Sequence, residues 1–303
     1  MKVPLPMRGG VNPSRLYLPR DGQWPDLLSF LLERFPFMPA DIIKARLAAG
    51  EMVNSEGQSY SLQSDFVPDT WLWYYRDVPD EVEVPFELEI LYQDRHLLVV
   101  DKPHFLASIP SGRYLHETAL SRLRKQFDLA DISPLHRLDR ETAGVLLFSL
   151  RPEDRGAYQS LFQSREVEKF YEAIAPTVKG LTLPLVYQSH LVKSPQYFTM
   201  MEVDRAANSE TRIELLKRGE QLSHYRLAPL SGRKHQLRVH MSALGMPICH
   251  DNFYPELQAM RAADDFSDPL QLLARAIEFK DPITGELRCF ESARDLALLA
   301  AIN

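Results

Sequence analysis

The stretch SPLHRLDRETAGVLLFSL, residues 133–150, sets one carboxylate, Asp139, between the guanidiniums of Arg137 and Arg140, just ahead of an apolar run that begins at Gly144. A carboxylate can act as a nucleophile when it stays ionised and is held in one rotamer. A nearby guanidinium favours the charged form and fixes the oxygens with its planar fork. Asp139 follows an extended Pro-Leu-His-Arg-Leu segment and precedes a strand, which places it on a loop between rigid elements, where catalytic groups concentrate. The same pattern also describes a surface ion pair or a loop-capping aspartate. The spacing by itself leaves both open.

Other chemistry-bearing residues are as ambiguous when taken singly. Tyr171 reads as a core aromatic with its hydroxyl at the rim, Arg238 as a solvated helix residue and His136 as a loop-fixing hydrogen bonder. His235 and His240 are five residues apart, not at the i, i+4 spacing that puts two ligands on one helix face, and no Cys or carboxylate completes a metal set. Gly232, Arg233 and Lys234 open a helix and could hold a phosphate there, because helix N-termini attract anions; a turn with solvated charges fits equally. Arg122, Arg124 and Lys125 read as a solvated helix face.

The elements that must position these groups follow from periodicity. PDLLSFLLERF puts Leu27, Leu28, Leu31 and Leu32 on one face of a helix, and ADIIKARLAAG gives a second helix stopped at Gly50. EMVNSEGQSYSL reads as a hairpin turned at Ser55–Gly57, and residues 1–25 as an irregular extension. The acidic, proline-punctuated segment 76–90 reads as a linker. Beyond it the pattern becomes α+β: a strand pair in LEILYQDRHLLVVDKP, a helix in HETALSRLRKQF and a buried strand in AGVLLFSL. Further strands follow in EVEKFYEAIA, with Val167, Tyr171 and Ala173 on one side and Phe170 and Ile174 on the other, and in SHYRLAPL. KHQLRVHMSALG fits a helix stopped at Gly245, and LQLLARAIEFKDPITGELRCFES a closing hairpin.

At 303 residues, 45% hydrophobic and 25% charged, the chain has the length for two domains and the composition of a soluble globular protein. No apolar run approaches the roughly 20 residues of a membrane span, and MKVPLPMRGG lacks a signal-peptide core, so a cytoplasmic location is expected. Cys249 and Cys289 form no CxxC pattern and read as free thiols. The net charge of −6 argues weakly against a polyanion partner, but it hides an asymmetry. Residues 134–240 carry 16 basic and 12 acidic residues, and the remainder of the chain is net −10. A basic middle suits a local polyanion footprint.

HRLDRETAG closely resembles the signature of the RluA-type pseudouridine synthases: His-Arg-Leu-Asp, two variable residues, then Thr-Ser-Gly. LEILYQDRHLLVVDKP is similar to that family's opening strand pair, KFYEAIA to its Lys-x-Tyr-x-Ala segment, GRKHQLRVHMSALGMPI to its Gly-Arg-x-His-Gln-Leu-Arg element, and LQLLARAIEFKDPITGE to its closing hairpin. These run in family order over about residues 85–292. The helices and GEMVNSEG near the N-terminus resemble the small S4-type RNA-binding domain that often precedes this catalytic domain. The resemblance implies an N-terminal extension over 1–25, an S4-like α+β domain over 26–78 and a catalytic domain over 79–303. The catalytic fold implied is α+β, a mixed, largely antiparallel bent sheet flanked by helices.

Function follows by the same implication. Asp139 would be the nucleophile on the target uridine, whether at sugar or base, Arg238 its partner arginine and Tyr171 the ring stacked on the uracil. Arg137 would enter the RNA stack as the base leaves it, and Arg140 would contact backbone or phosphate. Arg233, Lys234, His235 and Gln236 would complete the RNA-binding set. A uridine inside a helix must be flipped out to be reached. The partner expected is ribosomal or transfer RNA, with no membrane, metal or cofactor, and the expected state is a monomer. Two departures stand out: Ala143 replaces the usual Ser of the signature, and the S4-like segment is poor in basic residues. A non-catalytic RNA-binding platform would have no need of Asp139, Tyr171 and Arg238 together. A retaining glycosidase would need a second carboxylate about 5 Å from the first, and Glu141 and Asp131 sit in no recognisable pairing.

Overall fold

A computed structural model describes residues 3–78, 81–196 and 198–302. The chain divides into two compact units, Met1–Glu81 with Ser121–Ala130 and Val82–Leu120 with Asp131–Asn303.

The first unit contains β1 (Ser14–Leu18), α1 (Leu27–Arg34), α2 (Ala40–Ala48), β2 (Met52–Val53) and β3 (Thr70–Tyr74). The strands pair antiparallel in the order β1-β3-β2. Residues 14–18 are therefore a strand, not part of an irregular arm; their alternation puts Leu16 and Leu18 inward and Arg15 and Tyr17 outward. Leu27 and Leu31 of α1 are fully buried with Leu18, Ile43, Leu47 and Leu72, and Leu28 and Leu32 pack against that cluster. Asp26 caps α1 by accepting from the Ser29 amide at 2.7 Å. After β2 the chain turns back at Ser55–Gly57, where Asn54 Oδ1 accepts from the Glu56 and Gln58 amides.

The second unit is built on one large sheet. Its elements are β4 (Glu89–Gln93), β5 (Leu97–Lys102), β6 (Ser133–Pro134), β7 (Ala143–Ser149), α4 (Pro152–Ser164), β8 (Glu168–Pro176), β9 (Leu185–Lys193) and β10 (Met200–Val203). They continue with β11 (Ser209–Lys217), β12 (Leu222–Pro229), α5 (Gln236–Ala243), β13 (Leu272–Lys280) and β14 (Leu287–Glu291). The helix expected over HETALSRLRKQF, α3, runs from Ala119 to Phe127, and from Ser121 on it belongs to the first unit. The sheet order is β10-β9-β11-β12-β8-β13-β7-β5-β4, with β14 on β13 and β6 on β7. All pairings are antiparallel except β13 with β7, so the sheet is mixed and largely antiparallel.

Two local features position the site. Gly144 lies directly opposite Ala274 in the parallel pair and has φ +113°; a Cβ there would meet the Ala274 carbonyl oxygen at 2.2 Å. Only glycine lets β7 and β13 approach so closely immediately after the Asp139 loop. Strand β8 lies inside the sheet between β12 and β13, and Ala173, Ile174 and Ala175 are all fully buried. The alternation still sorts them. Tyr171, Ala173 and Ala175 join a cluster with Leu237 and Met241 of α5, and Ile174 joins a different one with Leu273 and Leu296. The same face of β8 that carries Tyr171 is thus packed by the helix that carries Arg238.

Periodicity overlooked α4 and the strands β9 to β11. Helix α4 carries readable signals, Pro152 at its first turn with Glu153 and Asp154 beside it, but its sequence is polar and interrupted by Gly156. In β9 to β11 only a few positions are buried, so the apolar pattern there is thin.

Candidate active site

Asp139 sits on a loop fastened at several points. Ser108 Oγ donates to the Leu138 carbonyl at 2.7 Å and accepts from the Leu138 amide at 3.0 Å. The Leu147 amide donates to His136 Nε2 at 3.2 Å, and His136 stacks on Phe162 with ring centroids 5.1 Å apart. Burial lowers the His136 pKa to about 3, so the ring stays a neutral acceptor. The fully buried Lys102 donates to the carbonyls of Pro103, Leu106 and Arg140, and His104 Nδ1 lies 2.6 Å from the Glu141 carbonyl. Burial lowers Lys102 to about 7, against the opposing pull of Glu141 and Asp139. These contacts clamp the loop on both flanks of Asp139.

Arg238 meets that carboxylate from α5. Its side chain is 2% exposed, and Nη1 donates to Asp139 Oδ2 at 3.3 Å. The rest of the fork belongs to a second acid: Nε and Nη2 donate to Asp251 Oδ2 and Oδ1 at 2.8 and 2.6 Å. Asp251 is 1% exposed and its Oδ1 also accepts the amides of Phe253 and Tyr254. Phe253 lies 4.8 Å from the Arg238 guanidinium, ring centroid to carbon. Burial would push Arg238 down, but the hydrogen bonds and charge of Asp251 and the charge of Asp139 outweigh it and raise its pKa. Asp251 had no sequence signal: it lies 112 residues from Asp139 in no charged cluster, and only the fold brings the two acids to one guanidinium.

His235 completes the surround. It is 4% exposed, at the N-terminus of α5 in a left-handed conformation (φ +54°), with Nε2 3.8 Å from Asp139 Oδ2 and Nδ1 2.8 Å from the Tyr254 hydroxyl. Burial lowers its pKa to about 4 against the pull of Asp139, so at neutral pH the imidazole is uncharged. Burial also pushes Asp139 up, but the charges of His235 when protonated, Arg238 and Lys234, with the Arg238 hydrogen bond, hold it below the usual carboxylate range. With His235 neutral, the permanent charge of Arg238 dominates near pH 7. Both the Arg238 and the His235 contacts fall on Oδ2, which leaves Oδ1 without a hydrogen-bond donor among the described residues. Burial, reinforced by the Asp139 charge, raises the Tyr171 hydroxyl, so Tyr171 is neutral beside the carboxylate.

The other sequence-derived residues scatter. Arg137 is exposed beside Asp139. Arg140 is turned into the protein, paired with Glu141 and lying 5.0 Å from the Tyr114 ring and 5.6 Å from that of Phe105. Arg233 is exposed and donates to the Asn208 carbonyl at 3.3 Å, and Lys234 is exposed beside Phe198. Gln236 is a correction. It is 4% exposed, its amide donates to the Glu210 carbonyl and Thr211 Oγ1, and its oxygen accepts from Ser231 Oγ and the Arg233 amide. Its hydrogen-bonding groups are spent on fastening α5 to β11, which leaves none for RNA. His235, buried at the carboxylate, is likewise no surface contact. Both cysteines are free, and no group of three or more metal-ligating side chains occurs among the described residues.

One ionised carboxylate, one buried guanidinium and one neutral aromatic are therefore brought together within the second unit. The family model described as RNA pseudouridylate synthase matches residues 96–243. The dual-specificity RNA pseudouridine synthase RluA of Haemophilus influenzae is 34% identical over 196 residues, covering 59% of this chain and 83% of that protein. The chain belongs to the RluA-type RNA pseudouridine synthase family. Like other RluA-type synthases it is an isomerase acting on RNA. Pseudouridylate synthase RPUSD2 of Homo sapiens is 32% identical over 246 residues, 77% of this chain but 43% of that longer protein. Among solved structures, human RNA pseudouridylate synthase domain containing 1 superposes with a TM-score of 0.56 at 25% identity, covering 72% of this chain and 86% of that one. The mixed, largely antiparallel sheet is thus the fold of the family. No helix among the described residues is long and apolar enough to cross a membrane.

Proposed function

We propose that the chain converts specific uridines of ribosomal or transfer RNA to pseudouridine, with Asp139 as nucleophile, Arg238 as the cation that keeps it ionised and Tyr171 as the ring against which the uracil stacks. The supporting observation is the single contact from the buried Arg238 to Asp139 Oδ2. It keeps the carboxylate charged and leaves the other oxygen open for attack. In the reaction the C1′–N1 bond breaks and a C1′–C5 bond forms. The proton lost from C5 is balanced by the one gained at N1, so no redox partner or hydrolysed nucleotide is required. A neutral Tyr171 ring beside the carboxylate suits the detached uracil, since stacking on an aromatic contributes roughly 1–3 kcal/mol per base. Arg137, exposed beside the nucleophile, fits the role of entering the stack vacated by the flipped base.

The same reading assigns the second unit to catalysis and the first unit, which holds residues 26–78, to an S4-like accessory role. It places a monomer in the cytoplasm, with Arg233 and Lys234 as phosphate contacts. Arg140, engaged with Glu141, serves the loop rather than the RNA. Incubation with RNA from cells lacking the gene, followed by pseudouridine mapping, tests the proposal and names the target. New pseudouridine with the wild-type protein and none with Asp139→Asn is the expected result. Equal conversion by both would overturn the nucleophile assignment.

A further inference from the structure

The turn between β9 and β10 carries Phe198, whose backbone is left-handed (φ +57°) and whose side chain is half exposed. A bulky residue at positive φ costs on the order of 1–3 kcal/mol, and a phenyl ring left half in water forfeits much of its burial energy. The described residues that flank Phe198 are nonetheless fastened. Ser194 N donates to the Thr199 carbonyl, Thr199 is 3% exposed, and the Met200 amide donates to the Tyr254 hydroxyl at 2.8 Å. Lys234 grips the residue itself: Nζ donates to the Phe198 carbonyl at 2.6 Å and stands over the ring, 3.1 Å from its centroid. The ring centroid lies 5.7 Å from that of His235, and His235 Nε2 is 3.8 Å from Asp139. The ring of Phe253, which also covers Arg238, is 6.4 Å away.

A rigidly held, half-exposed aromatic thus stands one residue away from the nucleophile, with an ammonium beside it. We propose that Phe198 is a stacking platform for a nucleobase of the substrate RNA next to the uridine delivered to Asp139, with Lys234 fixing the ring and supplying a cation for the adjoining phosphate. Every base has a π-face, so such a platform grips the strand without reading its sequence. Flipping one uridine unstacks its neighbour, and the ring replaces the contact the neighbour loses. The inference rests on Asp139 being the nucleophile.

The test uses the full chain and RNA from cells lacking the gene, labelled with tritium at uracil C5, which is released when the new C–C bond forms. Phe198→Ala, Phe198→Leu and Phe198→Trp are compared with wild type by tritium release and by filter binding to the same RNA, after circular dichroism verifies the fold. Loss of a stacked base predicts that Ala and Leu raise KM and Kd by roughly 10-fold, the loss falling on KM rather than kcat, and that Trp restores both to within about threefold. Wild-type KM and Kd in the Ala variant overturn the proposal. So does a Leu variant as good as Trp, which would mark mere apolar packing, or a loss confined to kcat. If wild type releases no tritium, the proposed conversion of uridines in this RNA fails instead, and the binding arm still reads the contribution of Phe198.

Discussion

Arg238 holds Asp251 with two nitrogens, at 2.8 and 2.6 Å, and has only its remaining nitrogen, at 3.3 Å, to give Asp139. The tight pair is the anchor and the loose contact is the working one. A buried guanidinium satisfied by one carboxylate can stand beside a second without being pulled out of place when that second carboxylate reacts. The arrangement requires the planar fork: a lysine ammonium has the charge but cannot span both acids with fixed geometry.

Arg238→Lys is therefore expected to lower kcat/KM by about 100-fold or more, because a misplacement of about 1 Å at a reacting group costs that much. Asp251→Asn, which touches no substrate, should lower activity in the same direction by freeing the fork to rotate. Asp251→Ala leaves a buried charge half paired and should cost about 3 kcal/mol in chemical denaturation. Full activity in Asp251→Asn would show that the anchor is dispensable.

Asp139→Asn should reduce turnover by roughly three orders of magnitude or more. It also has a stability signature. The folded pKa of Asp139 is depressed, so its charged form stabilises the fold above the unfolded value of about 3.9, and that contribution is lost as pH falls through the folded value. The stability gap between wild type and Asp139→Asn should accordingly be present at pH 6 and shrink as pH drops below 4. Denaturant titrations at several pH values measure it, and a gap that widens on acidification would contradict the depressed pKa.

Burial lowers four histidines far below their ordinary value: His104, His235 and His240 to about 4 and His136 to about 3. The unfolded chain binds these protons below pH 6.5 and the folded chain does not, so stability rises with pH between about 4 and 6.5 and falls on acidification through that window. Each group contributes a slope of up to roughly 1.4 kcal/mol per pH unit. His136→Gln, which can still accept from Leu147, should remove one proton from the slope. An unchanged slope would mean that His136 titrates alike in both states.

Gly144→Ala should be among the most disruptive single substitutions in the second unit. The added carbon meets the Ala274 carbonyl at 2.2 Å in a backbone region that L-residues avoid, so β7 must part from β13. A loss of about 3 kcal/mol or more is expected, with activity falling alongside it because the Asp139 loop ends at that strand. Thermal unfolding monitored by circular dichroism measures the loss, and a shift of under about 2 °C would show that the strands can separate freely.

Local pattern made many of these elements legible. The leucine face of α1, the apolar run of β7, the alternation in β8 and the glycine stop of α5 each depend on residues within one element, and each appears where its period puts it. Strands β9 to β11 escaped because only a few of their positions are buried. Charge proximity along the chain misled in one respect and was silent in another. Arg140, next to Asp139 in sequence, turns away to Glu141, whereas Asp251 and His235, remote in sequence, surround the site.

The sequence by itself determined the local placing of two residues: Asp139 on a short loop ahead of the buried run that begins at Gly144, and Tyr171 on a further strand. It also determined which helix carries the arginine. Only the tertiary structure decided how that arginine divides its nitrogens, that Gln236 is spent on the fold, and that Phe198 stands beside His235. Periodicity is written in residues a few positions apart, where geometry is fixed by the backbone. Hydrogen bonds and ion pairs across a hundred residues are fixed by the packing of β7, β8 and α5, and no local pattern encodes them.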